Sequence, residues 1–163
     1  AMGLETAHPG VLERLNKRMT LEDFAAAADR LRSNDLDLRV FLLVKPPFMQ
    51  ESETLEWTAR SLEFAFDCGA TAVSLIATRA GNGAMEELSG EGFFSPPPLA
   101  MLEEAAAYGI GLGRGRVFAD LWDVERFATC GVCRGDRIAR LRRMNLEQLV
   151  PPAIGCDTCG GGS

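Results

Sequence analysis

The sequence predicts an α/β protein built on parallel strands, with a small cysteine-rich appendage at its C-terminal end. Three observations carry this. Short, nearly continuous apolar runs, LRVFLLV (Leu38 to Val44) and TAVSLIAT (Thr71 to Thr78), have the character of strands covered on both faces. Stretches of helical periodicity alternate with them over short links, and that order requires parallel pairing through crossovers. Four of the five cysteines then fall in two Cys-x-x-Cys pairs near the end of the chain.

Taken in order, AMGLETAHPG enters a strand-like run at once, which reads either as an artificial start or, the favoured expectation, as a piece of a longer protein. Thr20 precedes a helix, with Asp23 three residues on as a variant capping box. Phe24, Ala27, Ala28 and Leu31 then make one apolar stripe, and Asn34 and Asp35 mark its end. The strand from Leu38 to Val44 is stopped by Lys45-Pro46-Pro47, because proline donates nothing to a ladder. Ser52 is the predicted cap of a second helix, on which Leu55, Ala59, Leu62 and Phe66 share a face, with Gly69 in the turn beyond. Thr71 to Thr78 is the next strand and RAGNG the loop after it. A third helix is predicted from Pro98 to Tyr108, and a fourth strand from Arg116 to Leu121. Four such strands form either an open sheet or an arc of a barrel. In the arc, helices cover the outer face, and the other face needs more protein to close it. Cys68, at a helix end, reads as a packing thiol.

At 163 residues there is room for one domain and an appendage. No apolar run approaches the roughly 20 residues of a membrane span, and no signal-peptide pattern opens the chain. A net charge of −6 argues against a protein wrapped in nucleic acid, although Arg126, Arg134, Arg137, Arg140, Arg142 and Arg143 crowd the tail. An odd cysteine count fits a metal site plus one buried thiol, in a reducing, cytoplasmic setting, better than a disulfide framework.

Parallel α/β folds gather chemistry just past the C-terminal ends of their strands. Those ends carry Glu5, Thr6 and His8; Lys45 and Pro46; Thr78, Arg79 and Asn82; and Asp120 and Asp123. Their recurrence predicts a ligand rim. Arg79 faces either the ligand or a neighbouring carboxylate such as Glu5. Asn82, between two glycines, lies in a loop whose backbone can approach a ligand closely, though the spacing is neither a P-loop nor a dinucleotide fingerprint. His8 is the only histidine; with no paired nucleophile it reads as a ligand contact or a loop anchor.

Cys130-x-x-Cys133 and Cys156-x-x-Cys159 have the spacing of a four-cysteine knuckle, in which each turn aims two thiolates at one point. Zinc is the favoured occupant, with iron–sulfur ligation the alternative. Between the pairs, DRIARLRRMNLEQL offers Ile138, Leu141 and Leu149 as inward positions. Its arginines are either a solvated face or a grip on RNA phosphates.

GLET, then LNK with Met19-Thr20, then VKPPF and GNGAM occur in an order that resembles the later half of a radical S-adenosylmethionine core. The similarity is to the archaeosine-synthase-type and elongator-catalytic-subunit-like members of that group. It covers about the first 100 residues, and the tail resembles the cysteine-rich end of the bacterial homologues. The resemblance implies a partial (β/α) barrel over residues 1–125 and a zinc-binding tail over 126–163. S-adenosylmethionine would lie across the strand exits, with Glu5 and Thr6 near its methionine or ribose part. Lys45, Pro46, Pro47, Thr78 and Arg79 would line its adenosine side. It also implies a tRNA base as substrate and the N-terminal half of the same protein as partner. That half would hold the [4Fe–4S] cluster, since no cysteine here precedes Cys68; this chain alone is then expected to be inactive. Two other readings stand beside it: a non-enzymatic zinc module binding RNA or protein through its arginine helix, and a different barrel enzyme using Glu5, His8 and Asp120.

Overall fold

Strand register fixes the architecture. Strands β1 (Met2–Glu5), β2 (Arg39–Val44), β3 (Ala72–Ala77) and β4 (Arg116–Ala119) pair in that order, every neighbour parallel. The computed structural model describes residues 1–81 and 83–160, and these four strands and the helices α1 (Pro9–Arg14), α2 (Leu21–Arg32), α3 (Glu51–Asp67), α4 (Ala84–Gly90), α5 (Leu99–Gly111) and α6 (Arg134–Glu147) lie within them. Because all strands run the same way, their C-terminal ends share one edge of the sheet.

The two faces of the sheet differ. Val40, Leu42, Val44, Val73, Leu75, Ala77, Val117 and Ala119 are buried, in one core with Phe24 and Ala28 of α2, Leu62 of α3 and Leu102 of α5. The alternate residues Phe41, Leu43, Ile76 and Phe118 are only half-buried, and Arg39 and Arg116 are exposed. Helices thus cover one face, and a cavity of about 440 Å³ opens on the other, between Phe41, Ser74, Ile76 and Phe118.

Local chemistry accounts for the helix ends. Asp23 N–H donates to Thr20 Oγ1 at 3.1 Å while Thr20 N–H donates to Asp23 Oδ2 at 3.0 Å, the reciprocal box expected. The cap of α3 is Gln50 instead of Ser52: its N–H donates to Glu53 Oε1 at 3.0 Å. Helix α1 is absent from the periodicity because six residues show no repeat; His8 Nδ1 caps it by accepting from Val11 N–H at 3.2 Å, and Pro9 pre-sets its first turn. Helix α5 runs past Tyr108 to Gly111. Gly109 serves packing there, since a Cβ at that position would meet Val117 at 3.0 Å and Leu62 at 3.2 Å.

Helix α6 closes one sheet edge with side chains. Val117 N–H donates to Gln148 Oε1 at 2.7 Å, and Gln148 Nε2 returns a bond to the Val117 carbonyl at 2.9 Å. Asn145 does the same for Ala119, at 2.8 and 2.9 Å. Two primary amides thus replace a fifth strand and satisfy an edge that would otherwise invite pairing. Ile138, Leu141 and Met144 are the buried positions of α6, whereas Leu149 is 64% exposed, contrary to the sequence expectation. The helix ends at Gln148, whose left-handed backbone turns the chain before Leu149 can reach the core.

Candidate functional site

The four tail thiols converge. Their sulfur atoms all lie within 4.8 Å of one another, with Cys130–Cys156 at 3.9 Å and Cys133–Cys159 at 3.7 Å. A tetrahedral site with metal–sulfur arms of about 2.3 Å has sulfur–sulfur edges of about 3.8 Å. The donor set therefore fits a metal ion such as zinc. Backbone N–H groups of Cys133 and Val132 aim at Cys130 and bring its thiol down to about 6. Those of Cys159 and Thr158 lower Cys156, while burial and the neighbouring sulfurs push Cys133 up to about 12. The N–H groups thus favour thiolate on one cysteine of each knuckle.

The clasp is rooted in the fold through α6. Cys133 immediately precedes that helix, and one turn on, Arg137 Nε donates to Glu103 Oε2 of α5 at 2.8 Å, with a second bond from Arg137 Nη2 to the same oxygen. Arg140 Nη1 reaches the other oxygen at 3.3 Å, and its Nε bonds the Pro151 and Pro152 carbonyls at 3.0 Å each. Arg137 and Arg140 are therefore structural ties. Arg143 pairs with Glu147, and Arg126 with Asp123.

The strand exits bring the other expected residues to one edge, but most of their side chains are engaged internally. Glu5 has a left-handed backbone (φ 68°) and pairs with Lys17 at 2.5 Å. Thr6 is buried; its Oγ1 accepts from His8 N–H at 3.1 Å, while Ala7 N–H donates to Ser61 Oγ of α3 at 2.7 Å. Lys45 is also buried and left-handed (φ 56°), and its Nζ donates to Glu51 at 2.6 Å and to Ser95 Oγ at 2.8 Å. That bond and charge hold the Glu51 carboxyl below its usual range. Pro46 is buried behind it.

Thr78 Oγ1 donates to the Val44 carbonyl at 3.0 Å, joining the exits of β2 and β3. Arg79 donates to Asp120 at 2.5 Å and to the Trp122 carbonyl at 2.7 Å, joining β3 to β4; its carboxylate partner is Asp120 and not Glu5. His8 anchors its loop, capping α1 and packing on Trp57 with ring centroids 4.3 Å apart. Asn82 lies outside the described residues. Cys68 follows α3 and leads into β3, on the edge opposite the exits; burial and Asp67 raise its thiol above the ordinary value.

Sequence patterns did not reveal Glu103, Asn145 or Gln148. Glu103 follows an apolar LAML run, and the one available signal was that a carboxylate there would need a cation.

No family model matches the chain. A stretch of 99 residues, 60% of the chain, is 30% identical to archaeosine synthase subunit beta of Methanosarcina acetivorans and covers 28% of that protein's length. The chain therefore corresponds to well under two thirds of this relative. No helix among the described residues is long and apolar enough to cross a membrane.

Proposed function

We propose that this chain forms the later half of a radical S-adenosylmethionine barrel in a cytoplasmic protein that modifies a base of tRNA, with a zinc-stabilised tail after about residue 125. The observation that carries the reading is the asymmetry of the sheet: helices pack on one face of an all-parallel array, and half-buried apolar side chains lie bare on the other. A bare inner face is what an incomplete barrel presents before its remaining strands arrive. Asn145 and Gln148 block the β4 edge, so further strands would have to add beside β1. The similarity to archaeosine synthase subunit beta supports the same reading.

S-adenosylmethionine, when bound beside a reduced [4Fe–4S] cluster, would supply hydrogen-abstraction chemistry. The residues here do not fit the cluster: four cysteines belong to the clasp, and Cys68 is at the opposite sheet edge. They do fit a nucleoside rim. Thr78 and Arg79 tie adjacent strand exits and Lys45 ties the β2 exit to α3 and to Ser95, so that backbone groups are held in place, and the Glu5 carboxylate, paired with Lys17, stays partly exposed. Asn82 is assigned to the rim from its place in the sequence after β3 alone. Zinc at Cys130, Cys133, Cys156 and Cys159 would fix the start of α6 and the returning segment.

The sequence encoded upstream gives the first test. A Cys-x-x-x-Cys-x-x-Cys loop after a strand is expected there, and an in-frame stop codon would overturn the barrel reading. For the tail, elemental analysis should find about one zinc per chain; four freely titratable thiols in folded, metal-free protein would remove that part.

A further inference from the structure

Beyond the strand-exit rim, a second polar cavity of about 370 Å³ lies among α1, the turn after β2 and the loop before α5. Its backbone is unusual. Within four residues, Lys45 (φ 56°) and Phe48 (φ 70°) both adopt left-handed conformations without being glycine. Such conformations are strained for residues that carry a side chain and persist where the surroundings enforce them. Here Phe48 N–H donates to the Phe93 carbonyl at 2.7 Å, tying the two loops, and the two rings stand 5.7 Å apart. The Arg14 guanidinium lies against both, 3.9 Å from the centroid of Phe48 and 4.9 Å from that of Phe93.

Arg14 is thereby held in place by aromatic stacking, and among the described residues it has no hydrogen-bond or ion-pair partner. Stacking orients a guanidinium while leaving its N–H fork free. The facing wall carries Lys45, which spends two of its three N–H donors on Glu51 and Ser95, and the Ser95 hydroxyl, which accepts that bond and keeps its own proton to donate. The charged groups lining the cavity are Arg14, Lys45 and Glu51, a surplus of one positive charge. Glu51 is neutralised by its pairing with Lys45 at 2.6 Å, so the uncompensated charge is that of Arg14.

We propose that this cavity is an oxyanion subsite for a phosphate group, with Arg14 as the principal donor and Lys45 and Ser95 on its second wall. A planar guanidinium gives two parallel N–H bonds to phosphate oxygens, which a point cation cannot. The phosphate could be free or part of an RNA backbone. The subsite shares Lys45 with the proposed S-adenosylmethionine rim, but its principal donor, Arg14, is no part of that rim, so the two readings are tested separately.

The test is an NMR titration of the isotopically labelled chain, following the Arg14 Nε–Hε resonance. Inorganic phosphate is added at constant ionic strength in one arm, and a short single-stranded RNA in another. A saturable Arg14 shift is expected. Arg14→Gln should weaken binding by about tenfold, while Arg18→Gln, a control that is likewise exposed but outside the cavity lining, should change it less than about twofold. A response to inorganic phosphate alone assigns a free phosphate group, a response to RNA alone assigns a phosphodiester, and a response to both supports a subsite that takes either. An Arg14 resonance unmoved by either probe, or equal affinity in wild type and Arg14→Gln, overturns the proposal. The wild-type readout keeps the test valid if the variant folds poorly.

Discussion

Removing the Glu103 carboxylate should weaken the attachment of the tail to the helix-covered sheet. In the folded chain this single carboxylate receives N–H groups from Arg137 Nε, Arg137 Nη2 and Arg140 Nη1. The three side chains are only 9 to 15% exposed. Deleting one partner of a buried ion pair typically costs about 3–5 kcal/mol, because the remaining charges stay desolvated without compensation. Slight exposure and the Arg140 bonds to Pro151 and Pro152 place Glu103→Ala near the lower end, about 3 kcal/mol. That is a large share of the roughly 5–15 kcal/mol that holds a domain together. For a chain of this length it corresponds to a fall in Tm of about 6–12 °C.

Equilibrium urea unfolding of the zinc-loaded protein measures this directly, with the slope expected to stay constant. The same desolvation argument predicts a rescue: Glu103→Leu combined with Arg137→Met and Arg140→Met should recover most of the loss. A cost below about 1 kcal/mol for Glu103→Ala would refute the reasoning. The arginines would then be swinging out to solvent at little expense, and the triad would be a surface network.

Asn145→Ala with Gln148→Ala removes four edge hydrogen bonds and should destabilise by about 2–4 kcal/mol, with faster hydrogen exchange at Val117 and Ala119; unchanged exchange at those two amides would contradict the edge-cap role. Gly115→Ala places a Cβ 2.7 Å from the Phe66 ring and 2.9 Å from the Thr71 carbonyl, so a loss of about 1–3 kcal/mol is expected in the same unfolding assay, and a neutral result would mean that the β4 entry relaxes freely. In metal-loaded protein Cys68 should be the thiol that alkylates. Its raised value keeps the proton on at pH 8, so it should react more slowly than a free small thiol and speed up only as pH climbs beyond the ordinary thiol range; a rate equal to the free thiol at pH 8 would show that its burial has no consequence.

Local rules and the sequence agree wherever a feature depends on neighbours in the chain. The Thr20–Asp23 box, the proline stop after Val44 and the positive-φ turn at Gly69 (φ 87°) involve residues a few positions apart, and each occurs as expected. The clasp was legible for a related reason: each Cys-x-x-Cys turn is local, and only the meeting of the two turns is not. Ser52 yielded to Gln50 as the α3 cap because Glu53 reaches back to the Gln50 N–H, a geometry open to more than one starting residue.

The alternation of elements, the parallel class and the cysteine ligand set could all be read along the chain, since periodicity, turn chemistry and spacing are encoded over a few residues. Which polar side chains are available was settled by packing. Arg79 turned to Asp120, Lys45 to Glu51 and Ser95, and Arg137 and Arg140 to Glu103, across separations of 41, 6, 50, 34 and 37 residues. Packing also left one sheet face bare and, among the described residues, Arg14 without a counter-ion. A charge entering a partly desolvated environment takes the nearest opposite charge or acceptor that the fold supplies, and that neighbour is set in three dimensions.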